Sequence, residues 1–523
     1  MVRSSNISLI NPVTWKKYEI GRVKNMNSLG TGLRGILDLS ALGIYIHSIT
    51  VAIVIGFSIT LTIIEFLGLK KKDSAFISLA KQISIVIVVA FVFGAATGTL
   101  VEFGLVQVWN GVILAIGSFF FTPLFLELVA FTIEATLLIA LLYTWDKFKN
   151  PWTHWIITVT YTGGALLSGA LITSVNSWMQ APWGTGEIIN KIYPWAPIYG
   201  PLLVNADFLL SVKEALVTRW ASSGAPLVNP TILNMLTNSY GELLKDPWVS
   251  LTSPYALTSI IHQLLATTIV GVFWIAGALA YNGLRMKEKR GYYLKLFKTV
   301  ALIGSILLII QGIEGHEQGL MVYLYQPTKF AMIAGLEKSG PYLPAGLTIF
   351  GDPNYVFKGF DYFMQVSENH PTPNLRIGGM PVKEIAVMDT LKAFEKLPLV
   401  KTLYEVKISL AALSLIISLI IISSFVFRKF WHGRERILFY GGLAMFFIAP
   451  ALAGLGWAVR EIGRKPWTVY GLLYPEELVT PNPIGLEIVL TIIGGLLLGL
   501  IITFTTIYLV LKKPPKFLKI GEG

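Results

Sequence analysis

Residues 439–467 read FYGGLAMFFIAPALAGLGWAVREIGRKPW, an apolar run followed at once by a charged, tryptophan-containing end. The run from 439 to 457 carries no charge, and a helix of about 20 apolar residues crosses the hydrocarbon core of a bilayer. The charged and aromatic residues at its end are Trp457, Arg460, Glu461, Arg464, Lys465 and Trp467. Trp and Arg are common at membrane edges, whereas ionisable groups at this depth are usually paired or bind something. The stretch predicts a spanning helix that ends in either an interfacial anchor or a binding site.

The composition extends this reading to the whole chain. Its 523 residues are 54% hydrophobic and 14% charged, with a mean hydropathy of +0.64, whereas a soluble chain carries about 25% charged residues. Helices fit the apolar runs, because backbone in lipid must satisfy its hydrogen bonds internally. We predict an all-α integral membrane protein, a bundle of about nine transmembrane helices with two long outer loops. The predicted spans are roughly 41–67, 80–101, 112–143, 153–178, 255–283, 298–314, 404–427, 437–458 and 484–511.

Basic clusters follow the odd-numbered spans and therefore share one side of the membrane. They lie at 70–72, 147–149, 285–290, 428–436 and 512–516. The positive-inside rule then predicts a multi-pass protein of the cell membrane with its N-terminus outside and its C-terminus in the cytoplasm. Because these loops account for the net charge of +12, no nucleic-acid partner is expected.

The spans and loops divide the chain into seven predicted parts. Residues 1–40 are predicted to be a surface extension. The membrane part then consists of spans one to four (41–178), a long outer loop (179–254), spans five and six (255–314), a second outer loop (315–403) and spans seven to nine (404–511). Residues 512–523 are predicted to be a basic cytoplasmic tail. Both loops are rich in Pro, Gly, Trp and Tyr. This composition indicates that the loops are ordered and cover a site at the membrane edge. There is no cysteine, so disulfides, Cys-ligated clusters and covalent c-type haem attachment are excluded.

Two histidines, His47 and His262, lie well inside predicted spans, each near the outer end of its helix. A neutral histidine bonded to a carbonyl is one interpretation. The other is haem ligation, because a dry pocket within a helix bundle keeps an imidazole neutral and able to bind iron.

Two acids, Glu127 and Glu134, lie seven residues apart in the third span. This spacing puts both on one helix face. Buried acids along a face indicate a proton relay, although carboxyl groups hydrogen-bonded to neighbouring helices would give the same pattern.

Several strings resemble subunit I of cytochrome bd-type quinol oxidases. Residues 456–467 resemble the signature GWxxxExGRQPW, with Lys465 in place of Gln, and residues 176–182, NSWMQAP, match NxWMQxP. The string that contains Glu102, GAATGTLVEF, matches GxATGxxxEF. The resemblance covers nearly the whole chain in motif order, from about residue 41 to about residue 510, and implies a haem-bearing bundle.

The resemblance also implies roles for single residues. His47 and Glu461 would each ligate one of two high-spin haems, and His262 would ligate the low-spin haem b. Trp457 would pack between haems, and Arg464 would bind haem propionates, since guanidinium forms bidentate bonds with carboxylates.

The acids of the second and third spans also match positions in the family. Glu134 and Glu127 would serve the proton path, although the spacing between them is one residue shorter than in the family. Glu102 would serve catalysis or have a structural role.

The chain departs from the family pattern around the quinol-binding loop and the low-spin haem. Lys329 matches the lysine of that loop, but the glutamate five residues later is Ala334 here, and the nearest acid is Glu337. In residues 403–411, Lys407 replaces the family's Arg and Ser409 the Met that ligates the low-spin iron. We therefore expect a changed haem site at His262, for which the sequence identifies no second ligand.

The activity implied by the resemblance is that of a quinol:oxygen oxidoreductase. Its cofactors would be haem b, haem d or another high-spin haem, and quinol. Its partners would be a second membrane subunit, either subunit II-like or a paralogue of this chain, with a small single-helix subunit as a further option. Two alternatives stay open: a related haem oxidoreductase with another donor or acceptor, and a haem-poor transporter or partner subunit.

Overall fold

The computed structural model describes residues 31–108, 110–181, 248–253, 255–369, 376–377, 380–470, 475 and 486–512. Within these residues nine long helices are apolar enough to cross a membrane, which confirms the predicted all-α membrane fold. They are α1 (Thr31–Lys71), α2 (Ser74–Val108), α3 (Asn110–Tyr143), α4 (Trp152–Gln180), α5 (Ala256–Arg285), α6 (Arg290–Tyr325), α7 (Leu397–Val426), α8 (Glu435–Ile462) and α9 (Leu486–Lys512).

Several helices are longer than the apolar runs that predicted them. The clearest case is α6, which continues to Tyr325, beyond the predicted end of that span at residue 314. The added turns carry polar side chains such as Gln318, which donates to the Tyr255 hydroxyl in the segment before α5. Hydropathy alone stops at these residues, whereas the backbone remains helical because their side chains have partners.

Helices α1–α4 and α5–α8 form two packed groups that meet where α5 lies against α1 and α4. The helices approach most closely at Gly56 of α1 and Gly271 of α5, where a Cβ added to Gly56 would lie 2.7 Å from the Gly271 Cα. Small residues let helix backbones approach in this way within membranes. The largest buried core surrounds this crossing, and α5 is its central helix.

The share of buried residues separates central from peripheral helices. In the most apolar stretch of α5, 67% of residues are buried, against 22% in α3 and α7 and 17% in α9. Helix α9 packs along the outside of α1 and α2. The faces of α3, α7 and α9 that pack on no described residue carry large apolar side chains, as expected for contact with lipid or another membrane subunit.

The described part of residues 326–396, here called the cap, covers one end of α4 to α8. Its helical segments are Pro327–Ala334, Leu343–Ala345, Gly346–Phe350, Phe360–Glu368 and Val382–Phe394. Its strands form two antiparallel pairs, β1 (Gly340–Pro341) with β2 (Val356–Phe357) and β3 (Arg376–Ile377) with β4 (Met380–Pro381). Aromatic residues of the cap pack on Trp467 and Tyr470, so the segment after α8 is buried beneath it.

In the part of the chain that the structure describes, three short helices lie outside the cap. They are Val249–Thr252, Lys287–Lys289 and Arg428–Trp431. Most of the first predicted outer loop, 182–247, lies outside the described residues.

Candidate functional site

Glu461, in the last turn of α8, accepts hydrogen bonds from three side chains. Asn176 Nδ2 and Gln180 Nε2, both near the end of α4, donate to Oε1 at 3.4 and 3.1 Å. Arg464 Nη2 donates to Oε2 and forms an ion pair with it. The carboxylate therefore joins α4, α8 and the segment after α8 into one polar assembly, in which its charge is balanced by the arginine.

Lys329 extends this assembly into the cap. Its side chain is 2% exposed, and its Nζ donates to Gln180 Oε1 (3.3 Å), Gln326 Oε1 (3.2 Å) and the carbonyl oxygen of Arg460 (3.2 Å). Burial and then the Arg460 charge lower the pKa of Lys329 well below its ordinary value. The sequence predicts a lysine in a quinol-binding loop; the structure places it inside a hydrogen-bonded network that leads to Glu461.

Arg460 and Arg464 hold buried hydrogen-bond donors that no described residue satisfies. These are Nε and Nη2 of Arg460 and Nε and Nη1 of Arg464. Buried donors rarely stay unpaired in proteins, and guanidinium groups match carboxylates in geometry and charge. A haem carries two propionate carboxylates, so the donor set at this end of α8 fits a haem.

His47 of α1 is held in one tautomer by α2. The Thr97 hydroxyl has a single hydrogen, which it donates to the Phe93 carbonyl at 2.9 Å or the Gly94 carbonyl at 3.0 Å. The Thr97 oxygen lies 3.0 Å from His47 Nδ1. Because its own hydrogen is used by the helix, it accepts a hydrogen bond from Nδ1. Nδ1 then carries the ring hydrogen, and the lone pair of Nε2 is free to bind a metal.

Space beside the His47 ring is secured by Gly98. A Cβ at residue 98 would lie 3.1 Å from His47 Cε1 and 3.6 Å from Nε2. The GxATGxxxEF string thus supplies both the threonine that orients the histidine and the glycine that leaves room for its ring.

The helices that carry His47 and Glu461 meet through aromatic rings. Tyr45 of α1 and Trp457 of α8 lie with ring centroids 6.1 Å apart, and a Cβ at Gly454 would lie 2.7 Å from the Tyr45 hydroxyl oxygen. The two predicted iron ligands therefore lie at the same end of the bundle, although 414 residues separate them in the sequence, from 47 to 461.

His262 of α5 has two partners on α6. Its Nδ1 contacts Glu314 Oε2, with which it forms an ion pair when protonated, and Gln311 Nε2 at 2.9 Å. The sequence identifies neither residue as a partner of His262; both lie within the sixth predicted span, 298–314, and meet His262 because α6 packs against α5. The hydrogen bonds of His262 to described residues all use Nδ1, so Nε2 is available as an iron ligand.

Lys407 of α7 faces the same region. It interacts electrostatically with Glu314, and a Cβ at Gly456 of α8 would lie 3.5 Å from its Nζ. Ser409, two residues on, is exposed and its hydroxyl donates to the Glu405 carbonyl of its own helix at 2.9 Å. The structure therefore brings Lys407, but not the Ser409 hydroxyl, together with the charged groups around His262.

The two acids of α3 both face α4, as the seven-residue spacing predicts. Ser168 donates to Glu127 Oε1 at 2.8 Å, and a Cβ at Gly164 would lie 3.7 Å from the Glu134 Cβ. Glu134 is 4% exposed, and its Oε1 has no hydrogen-bond partner among the described residues. The side chain of Glu102, in α2, lies outside the described residues.

Sequence reasoning missed the residues that hold the ligands in place. Thr97, Gln180 and Gln326 are uncharged and gave no signal of their own. Glu314 did give a signal in the sequence, because an acid beside an apolar run has to be paired. Its neighbours Gly312 and Gly315, however, suggested a loop.

The family model for cytochrome bd terminal oxidase subunit I matches residues 39–516. The chain belongs to this family.

Two curated relatives cover nearly the whole chain. The chain is 26% identical over 497 residues to "Cytochrome bd ubiquinol oxidase subunit 1" of Bacillus subtilis, with 91% of the chain and 90% of the relative covered. It is 24% identical to "Putative cytochrome bd menaquinol oxidase subunit I" of the same organism, with 90% and 94% covered.

A solved structure shares the fold. The structure of bd oxidase from Geobacillus thermodenitrificans has a TM-score of 0.69 and 19% identity, and the match covers 92% of this chain and 99% of that one. As a member of the bd subunit I family, the chain is a respiratory, multi-pass membrane protein of the kind that carries haem in quinol oxidases.

Proposed function

We propose that this chain is the haem-bearing subunit of a bd-type terminal oxidase, which oxidises quinol and reduces oxygen to water. The polar assembly around Glu461 carries the proposal, because it combines a buried carboxylate with four buried guanidinium nitrogens that no described residue pairs. When bound, the haems, haem b and haem d or another high-spin haem, supply electron transfer and the reduction of oxygen. The residues of the chain would ligate the iron, keep water out of the haem pockets and let protons reach the haems.

His47 and Glu461 are the proposed ligands of the two high-spin haems, and His262 that of the low-spin haem. The tautomer of His47 leaves Nε2 free, and Arg464 keeps Glu461 ionised and oriented. Arg464, with Arg460, would hold propionates, Trp457 would pack between haems, and Lys407 would balance charge near His262. Glu102 is proposed to serve catalysis or to have a structural role.

The quinol site is proposed to lie around residues 315–353, at the end of α6 and in the cap, with Lys329. The three hydrogen bonds of Lys329 lead from the cap to Glu461, so a quinol oxygen that replaced one acceptor would be coupled to the haem region. The family's glutamate is absent: Ala334 ends its helix, and Glu337 is exposed. Glu337, His316 or water would take the quinol proton in its place.

Protons are proposed to come from the side of the basic loops and pass Glu134 and Glu127 on α3. With the C-terminus in the cytoplasm, uptake from that side alone separates charge across the membrane. The exposed apolar faces of α3, α7 and α9 are proposed to contact lipid and a second membrane subunit, with a small single-helix subunit as a further candidate.

A difference spectrum and an oxygen electrode test the proposal together. The purified complex should show high-spin and low-spin haem bands on reduction and should consume oxygen when quinol is added. A complex with haem bands that quinol does not reduce would point to another donor. Preparations without haem would refute the oxidase and favour the transporter alternative.

A further inference from the structure

A buried acid–histidine pair lies at the opposite end of the α1–α4 group from Glu461. Glu65, near the end of α1, is 1% exposed, and His154, in the first turn of α4, is 3% exposed. Neither residue belongs to the haem or quinol region described above. Burial of two ionisable groups is costly unless they are paired or functional.

The hydrogen bonds of this pair determine how many protons it holds. His154 Nε2 lies 2.9 Å from the Leu141 carbonyl oxygen; a carbonyl only accepts, so Nε2 carries a hydrogen. His154 Nδ1 lies 2.7 Å from Glu65 Oε1, and this contact requires a proton between the two atoms. The pair is therefore either imidazolium with carboxylate or imidazole with carboxylic acid, and it holds one transferable proton.

Hydroxyl groups follow the pair along the interface of α1 and α4. Thr158 donates to Glu65 Oε2 at 2.7 Å. One turn on, the hydroxyls of Thr62 and Thr162 lie 2.8 Å apart, and Thr162 also donates to the Ser58 carbonyl at 3.2 Å. These hydroxyl groups recur at helical spacing, so they form one polar row inside an otherwise apolar interface.

The row ends at the acids of α3. Tyr161, fully buried in α4, lies near both Ser58 and Glu134, and neither its hydroxyl nor Glu134 Oε1 has a hydrogen-bond partner among the described residues. From Glu65 to Ser58 the row extends over seven residues, about 10 Å along the axis of α1. It therefore leads from the end of the bundle to the carboxyl group proposed for the proton path.

At its other end the pair reaches the basic side of the protein. The ring of Trp145 stacks on His154 with centroids 3.9 Å apart, and the next residue, Asp146, is exposed and forms an ion pair with Lys81. The loop then continues with Lys147 and Lys149. One residue layer thus separates His154 from solvent on the side of the basic loops.

We propose that Glu65 and His154 form the proton-loading station of the oxidase, which receives protons from the basic side and passes them along the α1–α4 row to Glu134. In one cycle the proton between Nδ1 and Oε1 moves onto the carboxyl group and leaves from there towards the hydroxyl row, so that imidazole and carboxylate remain. A proton from the basic side then binds Nδ1, the ring nitrogen left with a lone pair. One proton enters and one leaves, so the pair returns to its first form. This proposal rests on the proposed oxidase function.

The test uses the complete purified complex with three variants. Glu65→Gln removes the acid and keeps its shape, Glu65→Asp keeps the acid, and Thr158→Val removes the hydroxyl that donates to Glu65. Thr60→Val is the matched control, since Thr60 is equally buried and its hydroxyl bonds only the Gly56 carbonyl of its own helix, at 2.8 Å. Haem content, quinol-driven turnover and its solvent deuterium isotope effect are measured for each variant.

Glu65→Gln should retain the haem bands and lose at least about tenfold in turnover, within the range typical of lost proton-transfer groups. Glu65→Asp should restore part of the rate. Thr158→Val should slow turnover and raise the isotope effect, while Thr60→Val does neither.

Three results distinguish the proton-loading role from a purely structural role of the pair and from failure of the oxidase function. Full turnover in Glu65→Gln or in Thr158→Val, with the wild type active, would overturn the proton-loading role alone. If Glu65→Gln fails to assemble, Thr158→Val decides. A purely structural pair would lower haem content and turnover together and leave the isotope effect unchanged. A wild-type complex that neither holds haem nor consumes oxygen would refute the oxidase function itself.

Discussion

Single hydrogen bonds set the chemistry of the candidate ligands. The Thr97 hydroxyl already donates to its own helix, so it can only accept from His47. The Arg464 guanidinium keeps Glu461 ionised in a buried position. In both cases the group proposed to bind the iron depends on a neighbouring side chain that is not itself an iron ligand.

Thr97→Val should weaken the haem site at His47. The ring hydrogen on Nδ1 would lose its acceptor, and an unsatisfied buried donor costs about 1–3 kcal/mol. We expect a shifted or reduced high-spin band, measured by reduced-minus-oxidised spectra, with normal membrane insertion. Thr97→Ser keeps the hydroxyl and should behave like wild type. His47→Ala and Glu461→Ala should each remove a high-spin band; unchanged spectra in both would contradict their assignment as ligands.

Arg464→Gln should be strongly disruptive. It leaves Glu461 without its charged partner, and breaking a buried ion pair costs about 3–5 kcal/mol. Haem content should fall and the midpoint of thermal unfolding should drop. Lys465→Gln, which introduces the residue found in the family signature, is the neighbouring control and should change both quantities little. Equal effects at 464 and 465 would argue against a specific pair.

At the scale of helices, function depends on which faces meet. Glu127 and Glu134 both face α4. There Ser168 donates a hydrogen bond to Glu127, and Gly164 leaves room beside Glu134. Helices α1 and α5 are close enough to join the two halves of the bundle because glycines lie at their crossing.

Glu134→Gln should lower turnover and leave haem content nearly intact. The amide keeps the shape of the carboxyl group but cannot carry a proton along α3. Oxygen consumption with quinol measures the first quantity and the difference spectrum the second. Ser168→Ala, which removes only a hydrogen bond to Glu127, should have a smaller effect. Wild-type turnover in Glu134→Gln would exclude it from the proton path.

Gly56→Ala should destabilise the bundle. Its Cβ would lie 2.7 Å from Gly271 Cα, so the two helices must separate, and overpacking of this kind costs about 1–3 kcal/mol. The unfolding temperature of the detergent-solubilised complex reports the loss. Gly163→Ala is the control, since no atom lies within 4 Å of an added Cβ there; comparable destabilisation by both changes would refute the close crossing as its cause.

At the scale of the whole molecule, the nine spans place the cap and the basic loops on opposite sides of the membrane. The cap covers the Glu461 region, and the Glu65–His154 pair lies towards the basic loops. In the proposed function, quinol oxidation and proton uptake would then be separated by the thickness of the bundle, as charge separation requires.

The absence of cysteine allows a direct test of this orientation. Single cysteines at two exposed positions, Lys149→Cys in a basic loop and Glu337→Cys in the cap, should react with a membrane-impermeant thiol reagent from opposite sides. In intact cells only Glu337→Cys should be labelled, and in inverted membrane vesicles only Lys149→Cys. The reverse pattern would invert the proposed topology.

The sequence by itself determined the class of fold, the number of spans and the family. Hydropathy and loop charge are summed over many residues, so one polar residue in a span does not obscure them. Strings such as residues 456–467 depend on exact residue types and are readable without coordinates. For the same reason His47, Glu461, Glu127 and Glu134 could be named as candidates.

Only the tertiary structure decided which groups meet. The partners of His262 lie on α6 and reach it only because α6 packs against α5, and Lys329 lies within a network of neutral amides that no pattern marks. Glu65 and His154 lie 89 residues apart and each looks unremarkable in the sequence, yet together they hold one proton. A proton position or a buried charge is set by distances between helices, and such distances arise from packing of the whole bundle.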